Sequence, residues 1–171
     1  MTSSAYSQPW PAPIATGALN ATVSLPGSKS LNNRELVLSA IASEPTLLTD
    51  TLASRDSALM IEALRSLGTQ VQVNDDGSVL VTPGAFNREA KIDCGLAGTV
   101  MRFVPPISLL SNQDVLFDGD EAARRRPMNV TIDSLRALGA EVSDNGSGSL
   151  PFTVHGDGSV AGGEITIDAS S

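Results

Sequence analysis

The sequence predicts a mixed α/β (α+β) fold built from tandem βαβαββ units, and two observations lead to this prediction. First, short aliphatic segments with helical and strand spacing alternate along a chain of 171 residues that is 41% hydrophobic. Second, the chain repeats itself: the motif Leu-Arg-x-Leu-Gly occurs at 64–68 and again at 135–139, and residues 27–34 are echoed by 95–102. Features that recur in the same order indicate a duplicated supersecondary unit.

The repeat also sets the expected domain organisation. Residues 1–18 are predicted to be an extended N-terminal segment, and residues 19–171 an incomplete domain. Unit one covers 19–84, unit two covers 89–156, and a third unit starts within 160–171. Because each tandem unit leaves an apolar face for the next, we expect that the chain is truncated inside the third unit.

The strands are predicted from alternating side chains and from the turn residues that bound them. Residues 19–25 alternate as a first strand, which the following Pro-Gly ends. A turn rich in Asn, Asp and Gly at 74–77 joins the two strands of a hairpin. The other predicted strands are 46–52, Gln70–Val73, Val79–Thr82, Asp114–Asp118, 152–154 and 163–168.

Helices are predicted between these strands. Ser28 or Ser30 caps a first helix, whose apolar positions include Leu38 and Ile41.

A second helix starts at Asp56 or Ser57 and ends at Gly68. In the second unit, Gly98 stands at a helix start, and Pro127 suits the first turn of the next helix.

The charge distribution favours an anionic ligand. The formal net charge of -8 argues against a nucleic-acid partner, which usually meets a basic face. Six of the eleven Lys and Arg residues nevertheless fall in short clusters: Lys29 with Arg34, then Arg102, then Arg124, Arg125 and Arg126. The alternative for the arginine triplet is a solvated surface loop.

The counts of other residue types exclude several classes of site. With Cys94 as the only cysteine and His155 as the only histidine, we expect no internal disulfide, no metal site and no cofactor. Cys94 is predicted to be a buried or turn-lining thiol. The chain also lacks a signal-like N-terminus and a long apolar run, so we expect a soluble cytoplasmic protein with no membrane contact.

The segment Pro-Gly-Ser-Lys-Ser at 26–30 is a candidate anion site. At a helix start, unpaired backbone N–H groups and the helix dipole favour an anion. Lys29 adds a charge there, and Ser30 shares a helix face with Arg34, whose guanidinium fits a carboxylate or phosphate. A capped helix with a solvated Lys and Arg remains the alternative. A Walker A nucleotide site is excluded because both required glycines are missing.

The second unit offers a matching segment. Gly98 allows a ligand to approach the backbone at a helix start, and Arg102 follows four residues later. Arg126 lies just before another predicted helix, which is also a favourable place for an anion.

Three motifs together resemble the 5-enolpyruvylshikimate-3-phosphate (EPSP) synthase family. They are Leu-Pro-Gly-Ser-Lys-Ser-x-x-x-Arg at 25–34, Leu-Ala-Gly-Thr-Val-Met-Arg at 96–102, and Gly-Asp-x-x-x-x-x-Arg-Pro-Met at 119–128. The resemblance covers nearly the whole chain. It departs at Leu96, where the family often has Asn, so local polar contacts differ there.

The resemblance implies the enolpyruvyl transferase fold, with two domains of three βαβαββ units each. It also implies an activity: the enolpyruvyl group of phosphoenolpyruvate moves to shikimate 3-phosphate, and phosphate leaves. The complete enzyme would be a monomer of the shikimate pathway, and this chain would need the missing C-terminal domain for catalysis.

Site residues follow from the same resemblance. Lys29, Ser30 and Arg34 would contact shikimate 3-phosphate, and Lys29 would also touch phosphoenolpyruvate and act as the catalytic residue. Gly98 and Arg126 would bind phosphoenolpyruvate.

Two further positions complete this set. Thr99 would share the backbone role of Gly98, and Arg102 would line the cleft and add positive potential. Because Gly98 leaves room for analogues of phosphoenolpyruvate, the resemblance also implies a target of glyphosate.

Three rival functions remain open at this stage. The chain is an anion-binding module with no catalytic partner, a repeat protein without a ligand, or part of the sister transferase that acts on UDP-N-acetylglucosamine. The sister enzyme resembles this chain less, because it carries a reactive cysteine in the loop that corresponds to 119–127, where this chain has none.

Overall fold

The computed structural model describes residues 10–23, 25 and 27–167. The helices are α1 (Lys29–Ala40), α2 (Arg55–Leu67), α3 (Gly98–Ser108), α4 (Glu121–Arg124) and α5 (Asn129–Ala137). The strands are β1 (Thr46–Leu48), β2 (Gln70–Val73), β3 (Val79–Thr82), β4 (Ala90–Asp93), β5 (Asp114–Asp118), β6 (Glu141–Ser143) and β7 (Phe152–His155). The fold is a mixed α+β fold, as predicted.

The strands form two sheets. The first is antiparallel with the order β1-β3-β2, and its central strand pairs Val81 with both Thr46 and Val71. The second has the order β4-β5-β7-β6, in which β4 and β5 run parallel and the other pairs run antiparallel. Each sheet therefore contains a hairpin that follows a helix, β2-β3 after α2 and β6-β7 after α5.

Aliphatic side chains hold the helices against the sheets. α1, α2 and α3 pack on one another, with Leu36, Leu64 and Val104 fully buried among them. Phe117 and Phe152 stack within the second sheet, with ring centroids 5.2 Å apart. Burial on this scale stabilises a fold by about 25 cal/mol per Å² of apolar surface, and it fixes how the three helix ends meet. Within the described ranges no helix is long and apolar enough to cross a membrane.

The predicted strand at 19–25 is wrong for the residues of that segment that the structure describes. Residues 19–23 and 25 lie outside any strand, and Leu19, Val23 and Leu25 are 85%, 73% and 82% exposed. Alternation is a local signal, whereas a strand also needs a partner strand and a covered face. Neither is present for the described residues of this segment.

Two other predicted strands are also corrected. The strand expected at 46–52 ends at Leu48, because Asp50 adopts a left-handed backbone with φ of 53°. Residues 163–167 form no strand. Gly162, just before the predicted strand, and Gly163, its predicted first residue, have positive φ values of 69° and 151°. Asp168 of that prediction lies outside the described residues.

Several helix boundaries differ from the prediction by a few residues. Ser28 caps α1 as one of the two predicted candidates, but α2 begins at Arg55, because Ser54 and Ser57 form a reciprocal capping box. Gly68 ends α2 as expected, with φ of 118°.

Three further features of the helices differ from the prediction. Pro127 precedes α5 rather than lying in its first turn, and α4 forms a single extra turn before it. Pro105 and Pro106 both lie inside α3, in its C-terminal half, so the helical hydrogen bonds to the carbonyls of Met101 and Arg102 are missing. On α1, Leu38 and the capping residue Ile41 are exposed, at 63% and 46%.

Candidate anion-binding site

The first turn of α1 presents the predicted Lys and Ser to solvent. The Ser28 hydroxyl accepts a hydrogen bond from the backbone N–H of Leu31 at 3.4 Å, so the helix starts where the motif predicts. The Lys29 ammonium lies 2.9 Å from a carboxylate oxygen of Asp56 and remains half exposed. Ser30 and Arg34 lie exposed on α1, one turn apart.

The N-terminal ends of three helices meet at this point. The side-chain amide of Asn33 on α1 donates to the Thr99 hydroxyl oxygen at 2.6 Å and to the Asp56 carbonyl oxygen at 3.3 Å. Asp56 and Thr99 are the second residues of α2 and α3. The positive ends of three helix dipoles therefore lie together, and their unpaired backbone N–H groups favour an anion.

Gly98, the first residue of α3, lies against two arginines. A Cβ atom at this position would be 3.1 Å from Arg102 Nη1 and 3.9 Å from Arg126 Nη1. The Arg126 guanidinium is held by the Leu96 carbonyl at 3.1 Å, and Arg102 donates to the Gly98 carbonyl at 3.4 Å. In the described part of the chain, no carboxylate pairs with either arginine. Two arginines without a carboxylate partner at a helix start favour the binding of an anion there.

Arg34 on α1 also contacts α3. Its guanidinium carbon lies 5.4 Å from the ring centroid of Phe103 on α3, which is a cation–π contact. An apolar groove continues from this contact along α1 and α3, lined by Val37, Leu38 and Ile107 among others. The contact keeps the Arg34 guanidinium beside Phe103, which directly follows Arg102 in the sequence.

The arginine triplet divides into two paired residues and one that faces the site. Arg124 binds the Asp118 carboxylate through two nitrogens at 2.8 Å, which lowers the pKa of Asp118. Arg125 pairs with Glu121 at 2.6 Å. Arg124 and Arg125 are thus exposed and neutralised by carboxylates, while Arg126 is half-buried beside Gly98.

A bidentate ion pair fixes the loop that carries the triplet. Arg55 at the start of α2 holds both carboxylate oxygens of Asp120, at 2.8 and 3.0 Å, and lowers the pKa of Asp120. The Asp120 N–H also donates to the Gly95 carbonyl at 2.9 Å. The loop before Arg126 is thus tied to α2 and to the loop before α3.

All seven predicted site residues lie around these helix ends, although their role in binding stays a prediction. Five of them make contacts here: Lys29 with Asp56, Thr99 with Asn33, and Gly98 with both Arg102 and Arg126. The remaining two are Ser30 and Arg34 on the exposed side of α1.

The sequence interpretation missed Asn33 and treated Asp56 as an ordinary cap or surface charge. A signal for Asn33 was present, since it falls on the helical stripe of Leu36, Val37 and Ala40, where an apolar residue is normal.

Cys94 and His155 take no part in this arrangement. Cys94 is fully buried. This burial is the main cause, and the nearby Asp93 and Asp118 carboxylates a smaller one, of a rise in the pKa of its thiol to about 12. His155 bridges Asp114 and Ser143 across three strands of the second sheet, at 2.9 and 2.8 Å. Across the described ranges, no group of three or more His, Cys, Asp or Glu side chains could hold a metal ion.

Solved structures with this fold give its class. Two structures of EPSP synthase from Acinetobacter baumannii match with a TM-score of 0.72 and 26% sequence identity. The match covers 78% of this chain and 32% or 31% of theirs. The fold is therefore that of the enolpyruvyl transferases.

The sequence then identifies the family. The chain belongs to the EPSP synthase (3-phosphoshikimate 1-carboxyvinyltransferase) family, whose model matches residues 14–171. It is 51% identical to the 3-phosphoshikimate 1-carboxyvinyltransferases of Kocuria rhizophila and Mycobacterium ulcerans, over 94% and 96% of this chain. The chain spans 38% of the length of each of these relatives.

Proposed function

We propose that this chain supplies one half of the active site of a 3-phosphoshikimate 1-carboxyvinyltransferase. The observation that carries the proposal is the pair of arginines beside Gly98 at a junction of three helix N-termini, with Lys29 close by. The curated relatives bear the name of this activity, and they extend well beyond the part that this chain matches. The other half of the site would come from a C-terminal part like theirs.

The proposed reaction brings two polyanions together. Phosphoenolpyruvate is protonated at its vinyl carbon, and a hydroxyl of shikimate 3-phosphate attacks the neighbouring carbon and loses its proton. The bond to phosphate then breaks, and the new methyl group loses a proton, which restores the double bond of the enolpyruvyl group. Mutual repulsion of the substrates opposes this encounter, and preorganised cations in a shielded cleft offset the repulsion. Lys29, Arg34, Arg102 and Arg126 are the cations that this chain offers.

We assign to each residue the role that its match to the family motifs implies. Lys29, Ser30 and Arg34 on α1 bind shikimate 3-phosphate, and Lys29 also contacts phosphoenolpyruvate and assists proton transfer. Gly98 and Arg126 bind phosphoenolpyruvate.

The remaining two residues act on the same substrate. Thr99 continues the backbone surface of Gly98, and Arg102 adds positive potential at 3.4 Å from the Gly98 carbonyl. We place the protein in the cytoplasm as a monomer when complete, and we expect glyphosate to compete at Gly98.

The test compares two proteins. One is residues 1–171 alone, and the other, called the complete protein, is residues 1–171 continued by the C-terminal part that the proposal requires. The readout is phosphate release from a mixture of shikimate 3-phosphate and phosphoenolpyruvate. We expect release by the complete protein and none by residues 1–171 alone. Turnover by residues 1–171 alone would contradict the proposal that this chain holds only half of the active site. A folded complete protein that releases no phosphate would contradict the proposed activity.

Matched variants test the residues. Lys29→Ala and Arg34→Ala should each lower kcat/KM by about 100-fold, the range that follows loss of a charged group at a developing charge. Lys91→Ala and Arg88→Ala are the controls, since both residues are exposed and lie outside the site. Equal effects of Lys29→Ala and Lys91→Ala would remove Lys29 from the mechanism.

A further inference from the structure

Asn33 is a fully buried amide on the apolar face of α1. It is 0% exposed, and the next residues on the same stripe, Leu36, Val37 and Ala40, are buried hydrophobic side chains. Burial of an amide is unfavourable unless the group is hydrogen-bonded. The position therefore needs a reason beyond packing, and the partners of the amide supply one.

Both partners of Asn33 are first-turn residues of other helices. Its Nδ2 donates to Thr99 Oγ1 at 2.6 Å and to the Asp56 carbonyl at 3.3 Å. Its own carbonyl oxygen is buried without a partner among the described residues. One side chain thus fixes the starts of α2 and α3 relative to α1.

The two links lead to opposite sides of the proposed site. On one side, the carboxylate of Asp56 binds Lys29 at 2.9 Å. On the other side, Thr99 directly follows Gly98, which lies against the guanidinium of Arg126. Asn33 is the residue that joins the lysine side to the arginine side.

The link also fixes the hydrogen-bonding role of Thr99. A hydroxyl has one hydrogen to donate and lone pairs to accept. Because the Thr99 oxygen accepts from Asn33, its hydrogen is left to donate elsewhere. Thr99 is only partly buried, so this donor is available to an anion at the start of α3.

We propose that Asn33 is a positioning residue for the substrate that binds at Gly98 and Arg126. It orients Thr99 as a donor toward an oxygen of phosphoenolpyruvate, and it sets the distance between the starts of α1 and α3. Since Asn33 is fully buried, it acts through Thr99 and does not touch the substrate. This inference rests on the proposed function.

The test uses steady-state kinetics of the complete protein. Asn33→Ala and the nearly isosteric Thr99→Val should each raise KM for phosphoenolpyruvate about tenfold, as expected for loss of one hydrogen bond to a charged group. KM for shikimate 3-phosphate should change less than about twofold, because its proposed contacts are on α1 itself. Thr99→Ser, which keeps the hydroxyl, should restore near-parental values.

A double mutant and a matched control separate positioning from general damage. If Asn33 acts through Thr99, the double variant Asn33→Ala with Thr99→Val should show the same tenfold effect as either single change. Asn32→Ala should leave both KM values unchanged, since Asn32 is buried one residue earlier on α1 and takes no part in the link. Multiplied effects in the double variant, or a loss confined to kcat in Asn33→Ala, would overturn the proposal.

Hydrogen exchange gives a readout that needs no turnover. In Asn33→Ala, amides of residues 98–102 should exchange at least about tenfold faster than in Asn32→Ala, because the start of α3 loses its tie. If the parent releases no phosphate but the exchange difference is present, the proposed function fails, while the link from Asn33 to the start of α3 stands. Equal exchange in the two variants would overturn the claim that Asn33 fixes the start of α3, whether or not the parent is active.

Discussion

Arg126 differs from the two arginines before it in what surrounds its guanidinium. Asp118 neutralises Arg124 and Glu121 neutralises Arg125, whereas Arg126 is held by a neutral carbonyl. A neutral acceptor orients a guanidinium without cancelling its charge. At the scale of single residues, the partner therefore decides which cation serves a ligand.

Gly98 gives the sharpest test at this scale. The methyl of Gly98→Ala would lie 3.1 Å from Arg102 Nη1, so the fold can yield by moving the end of a flexible side chain. The methyl nevertheless occupies the surface that the substrate would use. We expect KM for phosphoenolpyruvate to rise about tenfold, within the range that one methyl changes in a tight pocket.

The melting temperature of Gly98→Ala should stay close to that of the parent. Gly17→Ala is the matched control, because a Cβ at Gly17 meets no atom within 4 Å. An unchanged KM in Gly98→Ala would remove the close backbone approach from the model of the site.

At the scale of elements, the loop between β6 and β7 depends on one carboxylate. Asp144 is 6% exposed in its side chain, and it accepts hydrogen bonds from Arg136 on α5 and from the backbone of Gly146 and Gly148. These bonds, with Arg136 first, lower the pKa of Asp144 to about 2 from 3.8. The carboxylate thus ties the loop to α5, whose start follows Arg126.

This pKa predicts an acid-dependent stability. Because the folded pKa lies below the unfolded pKa, ionised Asp144 stabilises the fold above about pH 4, and the contribution is lost as the pH falls toward 2. Urea unfolding between pH 6 and pH 2 should therefore show a gap between parent and Asp144→Asn that closes with acid. Asp75→Asn, in the exposed turn before β3, should show no gap. A gap as wide at pH 2 as at pH 6 would contradict the assignment.

Elements were predicted best where their signals are local. β2 and β3 were predicted with the correct bounds, because a turn of Asn, Asp and Gly at 74–77 lies between them, and Gly68 fixes the end of α2. The prediction of a strand at 19–25 was wrong because pairing with a second strand is not a local property of the sequence. The predicted start of α2 was wrong because Ser54 is the N-cap and Ser57 completes its capping box, so the helix begins one residue before Asp56.

The whole molecule combines a net charge of -8 with a local cluster of cations. Long-range attraction of an anion to exposed cations is screened over a Debye length of about 10 Å at 0.1 M salt. We therefore expect the affinity of the complete protein for phosphoenolpyruvate to fall several-fold between about 20 mM and about 300 mM NaCl, measured by calorimetry.

Arg102 provides the comparison for this effect. It is exposed, and in the described ranges no carboxylate neutralises it. Arg102→Ala should show a shallower dependence on salt, while Arg88→Ala should match the parent. Parallel salt curves for Arg102→Ala and the parent would show that Arg102 adds no long-range potential.

The sequence predicted much of the fold and the residues gathered at the helix ends, but it did not predict how they are held. Gly98, Arg102 and Arg126 came from motifs, since short segments carry them. The hydrogen bond from Asn33 to Thr99 joins residues 66 positions apart, and the Arg55–Asp120 pair spans 65 positions. Such pairings depend on how α1, α2 and α3 pack, which no single segment encodes.

The two cross-links, Asn33 to Thr99 and Arg55 to Asp120, have an evolutionary consequence. Each has one partner before residue 83 and the other after residue 89, on either side of the connection between the two sheets. Recombination within that connection would separate both pairs at once and leave a buried amide without its hydroxyl. The two halves of the chain should therefore be inherited as one block, and substitutions at positions 33 and 99 should occur together among relatives.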